Sequence, residues 1–144
     1  MVNWIDGAIS DPKPADPKAV KAAENELRVN LPPDFLAIAA VHQGATPSPA
    51  KIWLPNGSGT AVAHLFHFED APFTSNILAA GFPWQDSLDK GVIPFAADIG
   101  GDLFCFNYRE DYDNPPVLYF SVDTGALPLA ANFTDFIALL SDEP

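Results

Sequence analysis

The chain has 144 residues, an apolar content of 48% and a formal net charge of −12. This length fits a single domain with a substantial core, since a chain of about 150 residues buries roughly 68–70% of its unfolded surface. The acidic balance disfavours nucleic acid as a direct partner, because phosphate binding depends on Lys and Arg. No stretch approaches the roughly 18 apolar residues of a membrane span, so no membrane partner is expected.

The negative charge is concentrated in the second part of the chain. Residues 1–85 hold 8 acids and 5 bases, whereas residues 86–144 hold 11 acids and 2 bases. A negative field speeds the encounter with a basic protein by electrostatic steering. The same acids also keep an apolar domain soluble, and composition alone leaves both interpretations open.

The cysteine content and the N-terminal segment indicate the cellular compartment in which the protein is expected. One cysteine excludes an internal disulfide, and Cys105 between two phenylalanines is expected to be a buried, inert thiol. The first seven residues show neither a basic start nor an apolar run of signal-peptide length. These observations predict a cytoplasmic protein.

Two helices are predicted in the first third of the chain. Asp16 followed by Pro17 is typical of a helix N-cap and first helical position, and the apolar spacing behind them predicts a helix to about Arg28. Pro33 begins a second predicted helix that leads to Gly44 as its C-terminal cap. A proline-rich loop is expected next.

From residue 51 the apolar residues alternate, which predicts strands. The predicted strands comprise residues 52–54, 60–68, 92–96, 103–108 and 117–122, with a turn over 55–59 and a short helix over 73–80. Asn132 opens a last helix, and its apolar face holds Phe133, Phe136, Ile137 and Leu140. This order predicts an α+β fold, a mainly antiparallel sheet of about five or six strands flanked by N-terminal and C-terminal helices.

The segment Gly91–Tyr108 is the most informative part of the chain. It joins an apolar strand to an aromatic strand, and a hairpin this apolar belongs in the middle of a sheet. Gly100-Gly101 predicts a two-residue turn with positive φ at both glycines. Asp98 and Asp102 are expected to accept hydrogen bonds from the turn amides, because two carboxylates do not supply the six to eight oxygens of a calcium site.

No catalytic or metal-binding constellation stands out. His64 and His67 are three residues apart in a predicted strand and therefore point to opposite faces, so zinc is not expected. Ser121, Thr124 and Cys105 lie in no nucleophile motif. The 19 acids leave a carboxylate-based hydrolase open as a third hypothesis, although nothing singles out two of them. We expect no enzyme, no metal and no cofactor.

Residues 109–114, Arg-Glu-Asp-Tyr-Asp-Asn, link two apolar strands and are expected at an exposed end of the sheet. They are interpreted either as a solvated hairpin loop or as an acidic contact surface with an aromatic anchor. Residues 81–86 offer a second candidate patch with a tryptophan in a loop. The predicted partner-binding residues are Glu110, Asp111, Tyr112, Asp113, Trp84, Asp86, Asp98 and Asp102.

Several segments, in this order and spacing, carry a resemblance to a known family. They are Leu31-Pro32-Pro33-Asp34-Phe35-Leu36, Ile93–Asp98 with Gly100-Gly101-Asp102, Phe104–Phe106, Pro116–Phe120 and Ala131–Ile137. The chain resembles the SUKH superfamily, which joins fungal cell-wall-assembly regulators to bacterial immunity proteins. The resemblance covers most of residues 20–140 and departs from the family pattern around residues 45–90.

The resemblance implies one SUKH-like domain over residues 1–144, with 1–15 an extended lead-in, no catalytic centre and a protein partner. In bacteria that partner is often a secreted toxin held inactive in the cytoplasm. The leading hypothesis is an immunity protein that neutralises a cognate polymorphic or contact-dependent toxin, expected to be basic, by direct binding. The alternative is an intracellular regulatory or scaffold domain with a non-toxin partner. The oligomeric state is left open.

Overall fold

The computed structural model describes residues 2–6, 14–68, 76–78 and 88–142. The helices in these residues are α1 (Pro17–Leu27), α2 (Pro33–Ala39) and α3 (Phe133–Ala138). The strands are β1 (Asn3–Ile5), β2 (Thr46–Ser48), β3 (Lys51–Trp53), β4 (Gly59–Leu65), β5 (Val92–Asp98), β6 (Leu103–Asn107), β7 (Val117–Ser121) and β8 (Gly125–Ala130). The arrangement is α+β, which confirms the predicted fold class.

Six strands form one antiparallel sheet in the order β3-β4-β5-β6-β7-β8. Each strand pairs with the next along the chain, so the sheet is a meander with β3 and β8 at its edges. The strands β5, β6 and β7 are largely buried on both faces. The central position predicted for the apolar hairpin is therefore confirmed.

A second, two-stranded sheet pairs β1 with β2, with Ile5 opposite Thr46. The sequence predicts an extended lead-in over residues 1–15 and a proline-rich loop through Pro49, and it did not indicate that short strands in these two segments pair. Three-residue strands are too short to show a period of two, and Pro47 weakens the strand signal further. Thr46 Oγ1 donates to the carbonyl oxygen of Ala63 at 2.6 Å, so the small sheet is attached to β4.

The helices α1 and α2 begin at the predicted residues, whereas α2 ends earlier than predicted. Asp16 caps α1 by accepting from the Lys18 amide at 2.8 Å, as expected for an N-cap. The helix α2 ends at Ala39, before the predicted cap at Gly44. Residues 40–44 continue as turns, and the amide of His42 donates to Ile38 at 2.8 Å.

The predicted C-terminal helix is confirmed. Asn132 accepts from the Asp135 amide at 2.8 Å and caps α3. Phe133 and Phe136 are buried on its predicted apolar face and Ile137 is partly buried, whereas Leu140 is buried just beyond the helix end at Ala138.

Phenylalanines fill the space between the helices and the sheet. Phe35 of α2 contacts Phe95, Phe106 and Phe133 with ring centroids 5.6, 5.1 and 5.2 Å away, and it is fully buried. Phe95 and Phe106 stack at 4.3 Å on neighbouring central strands. Such pairs contribute about 0.5–1.5 kcal/mol each beyond area burial. The helices α2 and α3 are therefore held on one face of the sheet. The predicted buried thiol of Cys105 is confirmed on β6, and burial raises its pKa.

The turn between β5 and β6 has three residues, 99–101, rather than the predicted two. The amide of Asp98 donates to Asp102 at 2.9 Å, and the amide of Gly101 donates back to Asp98 at 3.1 Å. Only Gly101 of the two glycines has a positive φ, at 89°. A type I turn followed by one left-handed residue suits a three-residue hairpin, so Gly100 does not need that conformation.

Sequence reasoning missed the edge strand β8. Its central Pro128 cannot donate to a ladder, which argues against a strand in the middle of a sheet. On an edge strand a proline nitrogen can face solvent, where no neighbouring strand requires an N–H donor. Pro128 lies opposite Leu118, beside a shift in the register between β7 and β8.

The predicted short helix over residues 73–80 lies largely outside the described residues. Asn76 forms an isolated bridge with His67, residues 77–78 form a turn, and the amide of Ile77 donates to the carbonyl oxygen of His67 at 2.9 Å. Across the described ranges, no helix has the length and apolar character needed to cross a membrane.

Candidate functional site

The predicted site residues that the structure describes lie at two opposite ends of the sheet. Asp98 and Asp102 flank the turn before β6, whereas residues 109–114 lie in the connection between β6 and β7. The five residues of β6, at about 3.4 Å each, place roughly 14–17 Å between these ends. The two groups therefore do not form one surface, and the structure separates a turn site from a loop site.

The carboxylate of Asp98 is buried and fully engaged in hydrogen bonds. Its Oδ1 accepts from the amides of Gly100 and Asp102 at 2.9 and 2.7 Å. Its Oδ2 accepts from Thr60 Oγ1 at 2.9 Å and from the Tyr119 phenol at 2.7 Å. The predicted bonds to the turn amides are confirmed for Asp98, whereas the carboxylate of Asp102 accepts from the Tyr119 phenol. With 4% exposure and four donors, Asp98 serves the fold and is not accessible to a partner.

Asp102 lies beside this buried carboxylate and is partly exposed. The Tyr119 phenol contacts Asp102 Oδ2 at 3.1 Å as well as Asp98. Desolvation raises the pKa of Asp102, the hydrogen bond from Tyr119 lowers it, and the charges of Asp98 and Asp123 raise it further, with a net upward shift. Asp102 therefore titrates next to the buried carboxylate of Asp98, which serves the fold.

The second group, residues 109–114, which we call the acidic loop, has a defined backbone shape. Asn107 Oδ1 accepts from the Arg109 amide at 3.1 Å. Asp111 Oδ1 accepts from the amides of Asp113 and Asn114, both at 2.9 Å. Short polar side chains that accept from amides two or three residues later stabilise turns. The loop is therefore shaped by its own side chains.

Two tyrosines attach the acidic loop to the end of α1. The phenol of Tyr108 donates to the carbonyl oxygen of Asn30 at 2.9 Å, and the phenol of Tyr112 donates to that of Arg28. The two rings meet edge to face with centroids 5.9 Å apart. An open cavity of about 280 Å³ lies at this junction, lined by Glu24, Asn25, Arg28, Val29, Asn30 and Tyr112.

The acidic loop presents negative charge and one aromatic ring to solvent. Glu110, Asp111 and Asp113 are exposed, and Tyr112 is 57% exposed despite its bond to α1. The single base of the loop, Arg109, pairs with Asp89 at 2.6 Å. Of the predicted partner-binding residues, these four form one contiguous surface. Trp84 and Asp86 lie outside the described residues, so their role stays a prediction.

The structure also contains a groove beside Glu110 that sequence reasoning missed. This groove has a volume of about 320 Å³ and is lined by Asn107, Glu110, Pro116, Val117, Leu118 and Pro128. It forms where the ends of β6, β7 and β8 meet. No sequence signal identified it because the strand that carries Pro128 was not predicted.

An exposed apolar patch occurs at the edge strand β3. Trp53 is 55% exposed and Ile99 is 72% exposed, and both line a cavity of about 360 Å³. A Cβ atom at position 59 would come within 3.1 Å of the Trp53 ring, so Gly59 leaves room for the indole. The alternation of residues 51–54 indicated a strand but did not indicate that it is an edge.

Within the described ranges, no group of three or more His, Cys, Asp or Glu side chains is placed to hold a metal ion. Burial and the charge of His67 lower the pKa of His64. The class of protein defined here is a small α+β domain with an acidic, tyrosine-anchored loop exposed at one end of its sheet.

The comparisons assign this domain to a family. The sequence model of the SMI1 / KNR4 family (SUKH-1) matches residues 14–139, and the chain therefore belongs to that family. The SUKH resemblance inferred from the motifs is confirmed. A search of curated proteins gives no match. Membership of this family, whose domains are generally non-enzymatic binding modules, fits a protein-binding role.

Proposed function

We propose that this protein is an immunity protein that neutralises a cognate secreted toxin by direct binding, without catalysis of its own. The observation that carries the proposal is the acidic loop, which presents three exposed carboxylates and a half-exposed tyrosine from a preformed backbone. Family membership supports a protein-binding role.

The shape of the acidic loop favours binding. Asp111 and the two tyrosines fix the loop before a partner arrives, so less conformational entropy is lost on association. Tyrosine is also enriched among residues whose truncation costs the most binding free energy. Tyr112 therefore offers an anchor surrounded by charge.

The charge of the loop indicates the kind of partner. Glu110 and Asp113 form no side-chain hydrogen bond or ion pair with any described residue. Their field adds to that of an acidic protein and speeds its encounter with a basic surface. In the proposed mechanism the loop docks on the basic active face of the toxin and covers it.

Co-expression tests the proposal. The chain is expressed with the product of the adjacent gene, and growth is scored with and without the chain. We expect the neighbour to inhibit growth alone and the pair to restore growth and co-purify. A neighbour that is harmless, or a toxin that the chain neither binds nor neutralises, would contradict the proposal. Capture of an intracellular regulatory protein instead would favour the scaffold alternative.

A further inference from the structure

The groove beside Glu110 combines apolar walls with a polar mouth. Its walls are formed by Pro116, Val117, Leu118 and Pro128, and its polar groups are Glu110 and Asn107. No Lys or Arg among the described residues lines it. A cavity of about 320 Å³ lies at the small end of the range for ligand sites, so its size fits one long side chain better than a whole helix.

The polar groups of this groove are acceptors that remain available. Glu110 is exposed and has no ion-pair partner in the described part of the chain. The adjacent base, Arg109, is paired with Asp89 at 2.6 Å. Asn107 Oδ1 accepts one bond, from the Arg109 amide at 3.1 Å, and a carboxamide oxygen has a second lone pair. The groove therefore complements a cationic donor with several N–H groups.

We infer that this groove receives an arginine side chain from the protein partner. The methylene stem and planar face of the guanidinium pack on Pro116, Leu118 and Pro128, while the N–H groups donate to Glu110 and Asn107. Arginine is favoured over lysine because its guanidinium is planar, weakly hydrated and able to bind a carboxylate in a bidentate manner. The inference rests on the proposed function in one respect only, which is that the arginine belongs to a protein partner.

A titration with small probes tests the groove without any knowledge of the partner. The full chain, labelled for NMR, is titrated with N-acetyl-arginine amide, with the uncharged isostere N-acetyl-citrulline amide and with N-acetyl-lysine amide. We expect arginine to shift the signals of Asn107, Glu110 and Leu118 saturably. Its apparent Kd should be about fivefold lower than that of citrulline, the ratio expected for one exposed charge pair.

Matched variants locate the effect. Glu110→Gln should abolish the preference for arginine over citrulline. Asp123→Asn removes the same charge at the other end of the sheet and should leave the preference intact. Equal shifts by arginine and citrulline, an unchanged preference in Glu110→Gln or tighter binding of lysine would overturn the inference.

The toxin obtained from co-expression separates this inference from the proposed function. If the wild-type chain binds the toxin and Glu110→Gln does not weaken the complex, the groove inference fails and the proposed function stands. If the chain binds no toxin while the arginine titration succeeds, the proposed function fails and the inference that the groove binds arginine stands. A loss of about fivefold in affinity for Glu110→Gln, with none for Asp123→Asn, supports both.

Discussion

The phenol of Tyr112 donates a hydrogen bond to the carbonyl oxygen of Arg28, 84 residues earlier in the chain. Arg28 follows α1 in a left-handed conformation with φ of 61°, which turns the backbone at the helix end. The predicted aromatic anchor of the acidic loop is therefore itself attached to a helix. Its ring stays half-exposed, so one residue both fixes the loop and presents a contact surface.

Replacing Tyr112 by Phe should loosen the acidic loop without unfolding the domain. The ring contact with Tyr108 is retained, whereas the bond to Arg28 is lost, so we expect a loss of about 0.5–1 kcal/mol in the free energy of unfolding. Amide hydrogen exchange should become faster across residues 109–114. Exchange that stays unchanged there would show that the bond does not hold the loop.

Replacing Asp98 by Asn should destabilise the whole domain. The buried carboxylate accepts four hydrogen bonds, two on each oxygen. In asparagine an NH₂ group replaces one of these oxygens, so two of the four donors would face another donor. We expect a loss of about 2–4 kcal/mol in the free energy of unfolding, measured by urea denaturation. Asp142→Asn, at an exposed position, should have little effect. A folded, equally stable Asp98→Asn protein would contradict the structural role assigned to Asp98.

The raised pKa of Asp102 predicts how stability depends on pH. A carboxyl whose pKa is higher in the folded state binds more protons there, so its contribution to stability is present at low pH and lost as pH rises through the folded pKa. Asp102→Asn removes this titration. Relative to wild type, the variant should therefore gain stability between the ordinary Asp pKa and neutral pH.

Urea denaturation at a series of pH values checks this sign. The stability difference between Asp102→Asn and wild type should increase with pH and then level off. The control Asp142→Asn changes a solvent-exposed acid and should show a nearly constant difference. A stability advantage of Asp102→Asn that shrinks as pH rises would contradict the assigned direction.

The main features of the fold could be predicted because their signals are local. Asp16 and Asn132 mark helix starts through short-range caps, and the aromatic strand around Phe104 is apolar enough to require burial. The missed elements depend on tertiary context. Pro128 is compatible with a strand only because β8 is an edge, and Thr46 belongs to a strand only because β1 pairs with it.

The candidate site was only partly predictable for the same reason. The composition of residues 109–114 indicated an exposed acidic loop, and the structure places it at a sheet end. The sequence did not indicate that the Asp98 carboxylate is enclosed by Thr60 and Tyr119, because these residues are distant along the chain. The groove beside Glu110 likewise depends on three strand ends that meet in space.

The most direct test of the account is the association rate with the co-expressed toxin, measured by stopped flow across a range of salt concentrations. Glu110→Lys with Asp113→Lys reverses two loop charges and leaves Asp111, which holds the turn, in place. Asp123→Lys with Asp142→Lys makes the same charge change elsewhere. The loop variant should associate at least about tenfold more slowly at low salt, with a flatter salt dependence, and the control should stay near wild type. Equal rates for the two variants would contradict the claim that the acidic loop is the binding surface.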